Sequence, residues 1–351
     1  MGDYTALLAR ALAARSDVRV AILTARHGNA DQPRPADGVD VLEPITRWSV
    51  RQLHRALAAV RAWMPDVLHI QYPGRGYDGP LVFLMGTAAR WLHGIPLVLT
   101  LHEAVPLDLQ VPTVAALYGS ASELIVVRPN LRGLMHPMLR WMLAGRRLRF
   151  MPTAPTLPRA TRSPERVRAV RERFRAGGRA LVAYFGYLHP SRGVHQLFRI
   201  ADPSAHCLVI VGGRFRDAAG YFDEVTARAG ETDWRGACVV TGFLPEADAA
   251  EILACADAVV LPYERGTETG NSSVKASRHQ GTFVLTTSRS VRGYVPRENV
   301  YYAAPGDVAE MRQALVAHLG TRCEPADIPT WEEVVAEHLR VYAGLCPSRS
   351  T

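Results

Sequence analysis

The feature that most constrains this chain is an alternation, repeated through its second half. A short apolar run ends at a glycine or proline, an amphipathic stretch follows, and another apolar run begins. The sharpest instance spans residues 259–288. An apolar run over 258–261 ends in Pro262, and a loop rich in glycine and hydroxyl residues follows. A helix-like segment, Gly281 and a second apolar run over 282–287 complete it. Strand, loop, helix, strand is the βαβ unit of a parallel sheet. The loop enters its helix through Gly270-Asn271-Ser272-Ser273. Backbone N–H groups and the positive end of a helix dipole meet at such a point, which suits a phosphate.

The same grammar extends in both directions. Strands are predicted over 180–185 (ending at Gly186), 207–211 (ending at Gly212-Gly213) and 238–241 (ending at Gly242), with helices over 193–200, 221–229 and 246–255 between them. Upstream, strands over 18–23, 39–42, 66–71, 96–101 and 123–127 alternate with helices over 50–63, 81–92 and 111–118. A proline-rich break over 151–166 separates the halves, and helices over 308–319 and 331–342 finish the chain. The expected fold class is α/β, with two doubly wound Rossmann-like domains facing a cleft between the carboxyl ends of their sheets. The expected boundaries are 1–152, a linker over 153–165, 166–328, and a C-terminal helical segment over 329–351. A doubly wound domain normally opens with a strand. This chain opens with an amphipathic helix carrying Leu7, Leu8, Ala11 and Leu12 on one face. The first domain is therefore expected to lack its first strand, or the start to lie further upstream.

Composition narrows the class. Of 351 residues 48% are hydrophobic, enough for two cores. Lys+Arg number 41 against 33 Asp+Glu, and Lys275 is the only lysine. An arginine- and alanine-rich usage of this kind reflects a GC-rich genome, so the charge is discounted as a sign of nucleic acid, although a mildly basic surface favours anionic substrates. The five cysteines show no metal-ligand spacing, so a reduced, cytoplasmic protein without a metal is expected. No apolar run is long enough to span a bilayer. The stretch over 131–149 is apolar and basic together. It reads either as a segment resting on the inner face of a membrane or as a buried helix with an arginine-rich exposed edge.

Several stretches together resemble the retaining, GT-B glycosyltransferases of family 4. Gly2-Asp3-Tyr4-Thr5 resembles the family's G-D-Y-T opening, and residues 65–73 (PDVLHIQYP) its P-D-V-V-H-x-Q strand. Thr100-Leu101-His102-Glu103 resembles T-x-H-[DE], residues 185–193 (FGYLHPSRG) F-G-x-L-x-P-x-K-G, and residues 299–307 the N-G-x-L-V-x-P-G-D segment. Their order covers about the whole chain. The resemblance implies an acceptor-side first domain, a nucleotide-sugar-binding second domain and a last helix crossing back to the first. It implies transfer of a sugar from a nucleotide-diphosphate donor, with retention and without metal or other cofactor. The acceptor would be a small molecule, a glycan or a lipid-linked sugar.

The resemblance also assigns residues. His102 would contact the transferred sugar, Glu268 would accept its hydroxyls, and Arg192, in place of the family's lysine, would neutralise the leaving diphosphate. Gly2 would let the backbone approach the donor phosphates or the acceptor, and Gly186, Asn271, Ser272 and Ser273 would hold the donor phosphates. Gly242, Phe243 and Leu244 would line the nucleobase pocket. Simpler readings stand beside these: a solvated loop glutamate, a plain helix cap, an exposed arginine, a structural histidine, a core phenylalanine. The family's second glutamate falls on Ala276. That departure and the absent first strand motivate a second reading, a non-catalytic or decayed relative. A third, weaker one is a sugar-nucleotide epimerase on the same scaffold, against which the lack of an acid/base carboxylate set argues.

Overall fold

The computed structural model describes residues 2–26, 38–72, 81–102, 111–128, 131–214, 218–267, 271–324 and 328–346. The chain divides into two compact units, one of residues Met1–Ala154 with Pro329–Thr351, the other of Pro155–Ile328.

Unit 1 opens with helix α1 (Gly2–Ala13), strands β1 (Val20–Ala25) and β2 (Val39–Ile45), and helix α2 (Leu53–Trp63). β3 (Leu68–Tyr72), α3 (Leu81–His93), β4 (Leu97–Leu101), α4 (Val111–Ser120) and β5 (Glu123–Val126) follow in strict alternation. β1 and β2 form a parallel pair, while β3, β4, β5 and β6 (Leu148–Phe150) form a parallel sheet in that order. One face of the four-stranded sheet packs Ile70, Tyr72, Leu97, Leu99 and Leu101 against Val82, Phe83, Val114 and Leu117 of α3 and α4. Side chains alternate across a strand, so Val98 and Ile125 face the other way, where they meet Val341 of the last helix.

The stretch over 131–149 is not one helix. It breaks into α5 (Leu131–Leu134) and α6 (Pro137–Met142), then turns into β6. Pro137 has no N–H to continue α5 and sits instead in the first turn of α6, behind a His136 cap. Leu131, Leu139 and Leu143 are buried, whereas Met138, Trp141 and Met142 are exposed.

Unit 2 contains α7 (Pro164–Arg173), β7 (Ala180–Phe185), α8 (Leu197–Ile200), β8 (His206–Val211), α9 (Ala219–Ala229), β9 (Cys238–Gly242), α10 (Glu246–Cys255) and β10 (Ala258–Leu261). It closes with α11 (Ser272–Arg278), β11 (Val284–Thr287), β12 (Gly293–Val295), β13 (Val300–Ala303) and α12 (Val308–His318). The sheet order is β12-β13-β11-β10-β7-β8-β9, parallel except for β12. β7, first in sequence, lies near the middle. The order therefore reverses between β7 and β10, and the crevice beyond the carboxyl ends of those strands is where such sheets bind ligands. β8, β10 and β11 are buried along their whole length, as expected of strands covered on both faces.

α13 (Trp331–Leu345) belongs to unit 1. It starts at a capping box between Thr330 and Glu333. Val334 and Val335 pack with Tyr4, Leu8 and Leu12 of α1, each buried apolar side chain contributing roughly 1.5–3 kcal/mol.

Candidate active site

In unit 2 the turn after β7 is built by local chemistry. His189 accepts the Ser191 N–H at 3.2 Å and caps a short turn over Pro190–Arg192, which closes at Gly193 with φ +66°. A Cβ at Gly193 would lie 1.9 Å from the Pro262 carbonyl oxygen. Only glycine lets this turn rest against the end of β10. Glu264 fastens it from the other side: its N–H donates to Ser191 O at 3.2 Å and its carboxylate accepts from Gln196 Nε2 at 2.6 Å. The turn thereby sets the Arg192 guanidinium over the Tyr263 ring, 5.1 Å from its centroid.

Tyr263 links onward. Its hydroxyl donates to Asn271 Oδ1 at 3.1 Å, and the same oxygen accepts from Ser273 N and Val274 N at 3.0 and 3.2 Å. Asn271 is thus the N-cap of α11. The Ser273 N–H expected to face a phosphate is taken by this cap. Ser273 presents its hydroxyl instead: a Cβ added at Gly186 would lie 3.2 Å from that oxygen. Gly186, Arg192, Tyr263, Asn271 and Ser273 thus gather at the sheet's switch point. Glu268 and Gly270 lie outside the described residues. Ala276, where the resemblance places the second carboxylate, is fully buried in the core of unit 2.

A second row runs along β7, β8 and β9. A Cβ at Gly212 would sit 1.9 Å from Gly186 O, Gly212 N donates to Gly242 O at 3.1 Å, and a Cβ at Gly213 would touch Phe243 at 3.5 Å. Glycines 186, 212, 213 and 242 let three strand ends close on one another, and Phe243, 69% exposed, stands at their rim. Leu244 packs against the core.

Unit 1 carries its own cluster at the carboxyl ends of β3 and β4. His102 follows β4, and its Nε2 lies 2.7 Å from Gln71 Oε1. A carboxamide oxygen only accepts, so the proton of His102 sits on Nε2. Gln71 Nε2 in turn donates to His69 Nε2 at 3.1 Å, and His69 Nδ1 donates to the Tyr342 hydroxyl of α13 at 2.6 Å. One amide therefore orients both imidazoles. Burial first, and then nearby positive groups including Arg128, push His102 down to about 3. Burial likewise lowers His69 and His338. All three rings are neutral at pH 7. Tyr4, in the first turn of α1, meets the His102 ring edge-on at 5.0 Å, so the helix that starts at Gly2 reaches this cluster.

The sequence assigns no role to Tyr263, Glu264 or Tyr342, and presents Gln71 only as the glutamine of the motif over 65–73. Gln71 had a signal, since it stands two residues from His69 on a strand and so shares its face. Among the described residues no group of three or more His, Cys, Asp or Glu side chains is placed to hold a metal.

Comparison with known proteins agrees with this architecture. A family model described as "Glycosyl transferase 4-like domain" matches residues 1–136, and one described as "Glycosyl transferases group 1" matches residues 179–320. No curated protein matches by sequence. Among solved structures, sucrose-phosphate synthase from Thermosynechococcus elongatus matches with a TM-score of 0.73 at 18% identity, over 97% of this chain and 92% of that one. Anabaena HepE, in complex with UDP and glucose, matches with a TM-score of 0.69 at 17% identity, over 97% and 96%. The α,α-trehalose-phosphate synthase of Burkholderia xenovorans matches with 0.54 at 12% identity, over 84% and 78%. With its two parallel α/β units and both family domains in order, this chain belongs to the family 4-like, group 1 glycosyltransferases of GT-B fold.

Proposed function

We propose that this chain transfers a sugar from a nucleoside-diphosphate-sugar donor to an acceptor, with retention of anomeric configuration. The observation that carries the reading is Arg192 on Tyr263 at the switch point of unit 2. As the bond from the sugar's anomeric carbon to the phosphate oxygen breaks, negative charge gathers on the leaving diphosphate. A cation already held in place by a closed turn and an aromatic face stabilises that charge without reorganising. The diphosphate would also meet the Ser272 and Ser273 hydroxyls at the start of α11, and the nucleobase would lie by Gly242 and Phe243. Neutral His102 suits a hydrogen bond to a sugar hydroxyl rather than an electrostatic role. The proposal includes no metal and no further cofactor. The UDP and glucose of HepE support a nucleotide-sugar donor.

A second reading, a donor-binding protein without turnover, is favoured by one observation: the buried methyl of Ala276 where a second carboxylate is expected. Incubation with a panel of nucleotide sugars separates the two. Release of nucleoside diphosphate, and an unchanged anomeric configuration by proton NMR of the transferred sugar, support transfer. Binding without release supports the second reading, and neither binding nor release overturns both.

A further inference from the structure

Six large apolar side chains among the described residues are at least 69% exposed, and four of them, Met64, Trp91, Leu92 and Trp141, lie in unit 1. The fold explains why three of these share one edge. In a parallel α/β unit each helix returns to the amino end of the next strand. The ends of α2 and α3 therefore stand at the amino edges of β3 and β4, away from His102. Neighbouring strands are about 4.8 Å apart, so these ends line a single rim.

Contacts trace the rim. Met64 and His93 line one shallow hollow with Arg61. Trp91 donates through Nε1 to Ser120 Oγ at 3.0 Å. Arg146 donates to the carbonyl oxygens of Gly119 and Ala121 on either side of that serine. Three residues after Trp141, the Ala144 N–H donates back to its carbonyl and begins the turn to Arg146. Arg61, Arg140 and Arg147 are exposed, and Arg90 lies over the Trp91 ring at 5.7 Å. The nearby acids are engaged: Asp17 with Arg15, Asp40 with Arg19, Glu123 with Arg149; Asp66 is likewise not without a partner. Basic residues in last helical turns complement the helix dipole, which accounts for Arg61, Arg90 and Arg140 but not for bare tryptophan, leucine and methionine beside them.

We propose that this amino edge of unit 1 docks on an anionic lipid bilayer. Trp91 and Trp141 would sit at headgroup level, Leu92 and Met64 in the acyl boundary, and the arginines against acidic headgroups. The carboxyl edge carrying His102 stays clear of the contact.

The test is sedimentation of the full chain with vesicles of phosphatidylcholine, with and without phosphatidylglycerol. Binding should require phosphatidylglycerol and weaken with added salt. Trp91→Ser with Leu92→Ser should weaken it by about tenfold or more, and Arg61→Ser and Arg147→Ser by about fivefold each. Unchanged thermal melting shows that the variants fold. No binding to either vesicle, or binding that ignores these substitutions, overturns the proposal. A concentration-dependent dimer in analytical ultracentrifugation that the Trp91/Leu92 double variant abolishes, without vesicle binding, assigns the edge to a second copy of the chain and also overturns it.

Discussion

The Arg192 guanidinium stacks on the Tyr263 ring, and the same ring's hydroxyl donates to the Asn271 side chain that caps α11. One aromatic residue thus joins the proposed diphosphate cation to the proposed phosphate helix. Tyr263→Phe keeps the stack and loses the hydrogen bond, while Tyr263→Ala loses both. Calorimetric titration with nucleoside diphosphate should show a Kd raised less than about threefold in the first and about tenfold in the second. Equal losses would mean that the stack does not position Arg192.

Gly193 sits at φ +66° with a Cβ position 1.9 Å from the Pro262 carbonyl oxygen. Gly193→Ala should cost about 1–3 kcal/mol or more in urea unfolding and displace Arg192. Gly178→Ala, where nothing stands within 4 Å of the added carbon, should change stability by less than about 0.5 kcal/mol.

Removing the Asn271 carboxamide by Asn271→Ala exposes the Ser273 and Val274 N–H groups it now satisfies. Stability should fall by about 1 kcal/mol. Diphosphate affinity should fall less than in Arg192→Ala, since the charge remains.

His102, lowered to about 3, is neutral in the folded chain below the pH at which an unfolded histidine takes up its proton. Between about pH 6.5 and 3 the unfolded state binds the extra proton, so stability is retained above the unfolded value and lost as pH falls through this window. At pH 5 His102 alone should remove about 2 kcal/mol, with His69 and His338 acting in the same direction. Urea unfolding at pH 7.5 and pH 5 measures this, and His102→Gln should flatten the profile. A pH-independent midpoint would contradict the buried neutral cluster.

The second half was legible because β7, β8 and β10 are buried along most or all of their length and read as continuous apolar runs, each closed by a glycine or a proline. The runs ending at Gly186, Gly212 and Pro262 correspond to β7, β8 and β10. The strands β6 and β12 are three residues long and β13 four, too short to show an alternation, and β6 lies in a stretch that reads as helical. Site residues that act through backbone approach were visible as glycines. Those that act by contact between distant segments were not. Nothing local in the sequence ties Tyr342 to His69, 273 positions apart, or Glu264 to Gln196. Asn271 is the helix cap that its place before Ser272 predicts, but only geometry shows which N–H groups the cap consumes.

The central claim, a diphosphate site at the switch point of unit 2, rests most directly on one titration. The full chain is titrated calorimetrically with UDP, GDP and ADP, alongside Arg192→Ala. At least one of them should bind, and Arg192→Ala should weaken it by about tenfold or more, the scale of a lost charge-assisted contact. A folded chain that binds none of them, or binds one equally well without Arg192, would contradict it.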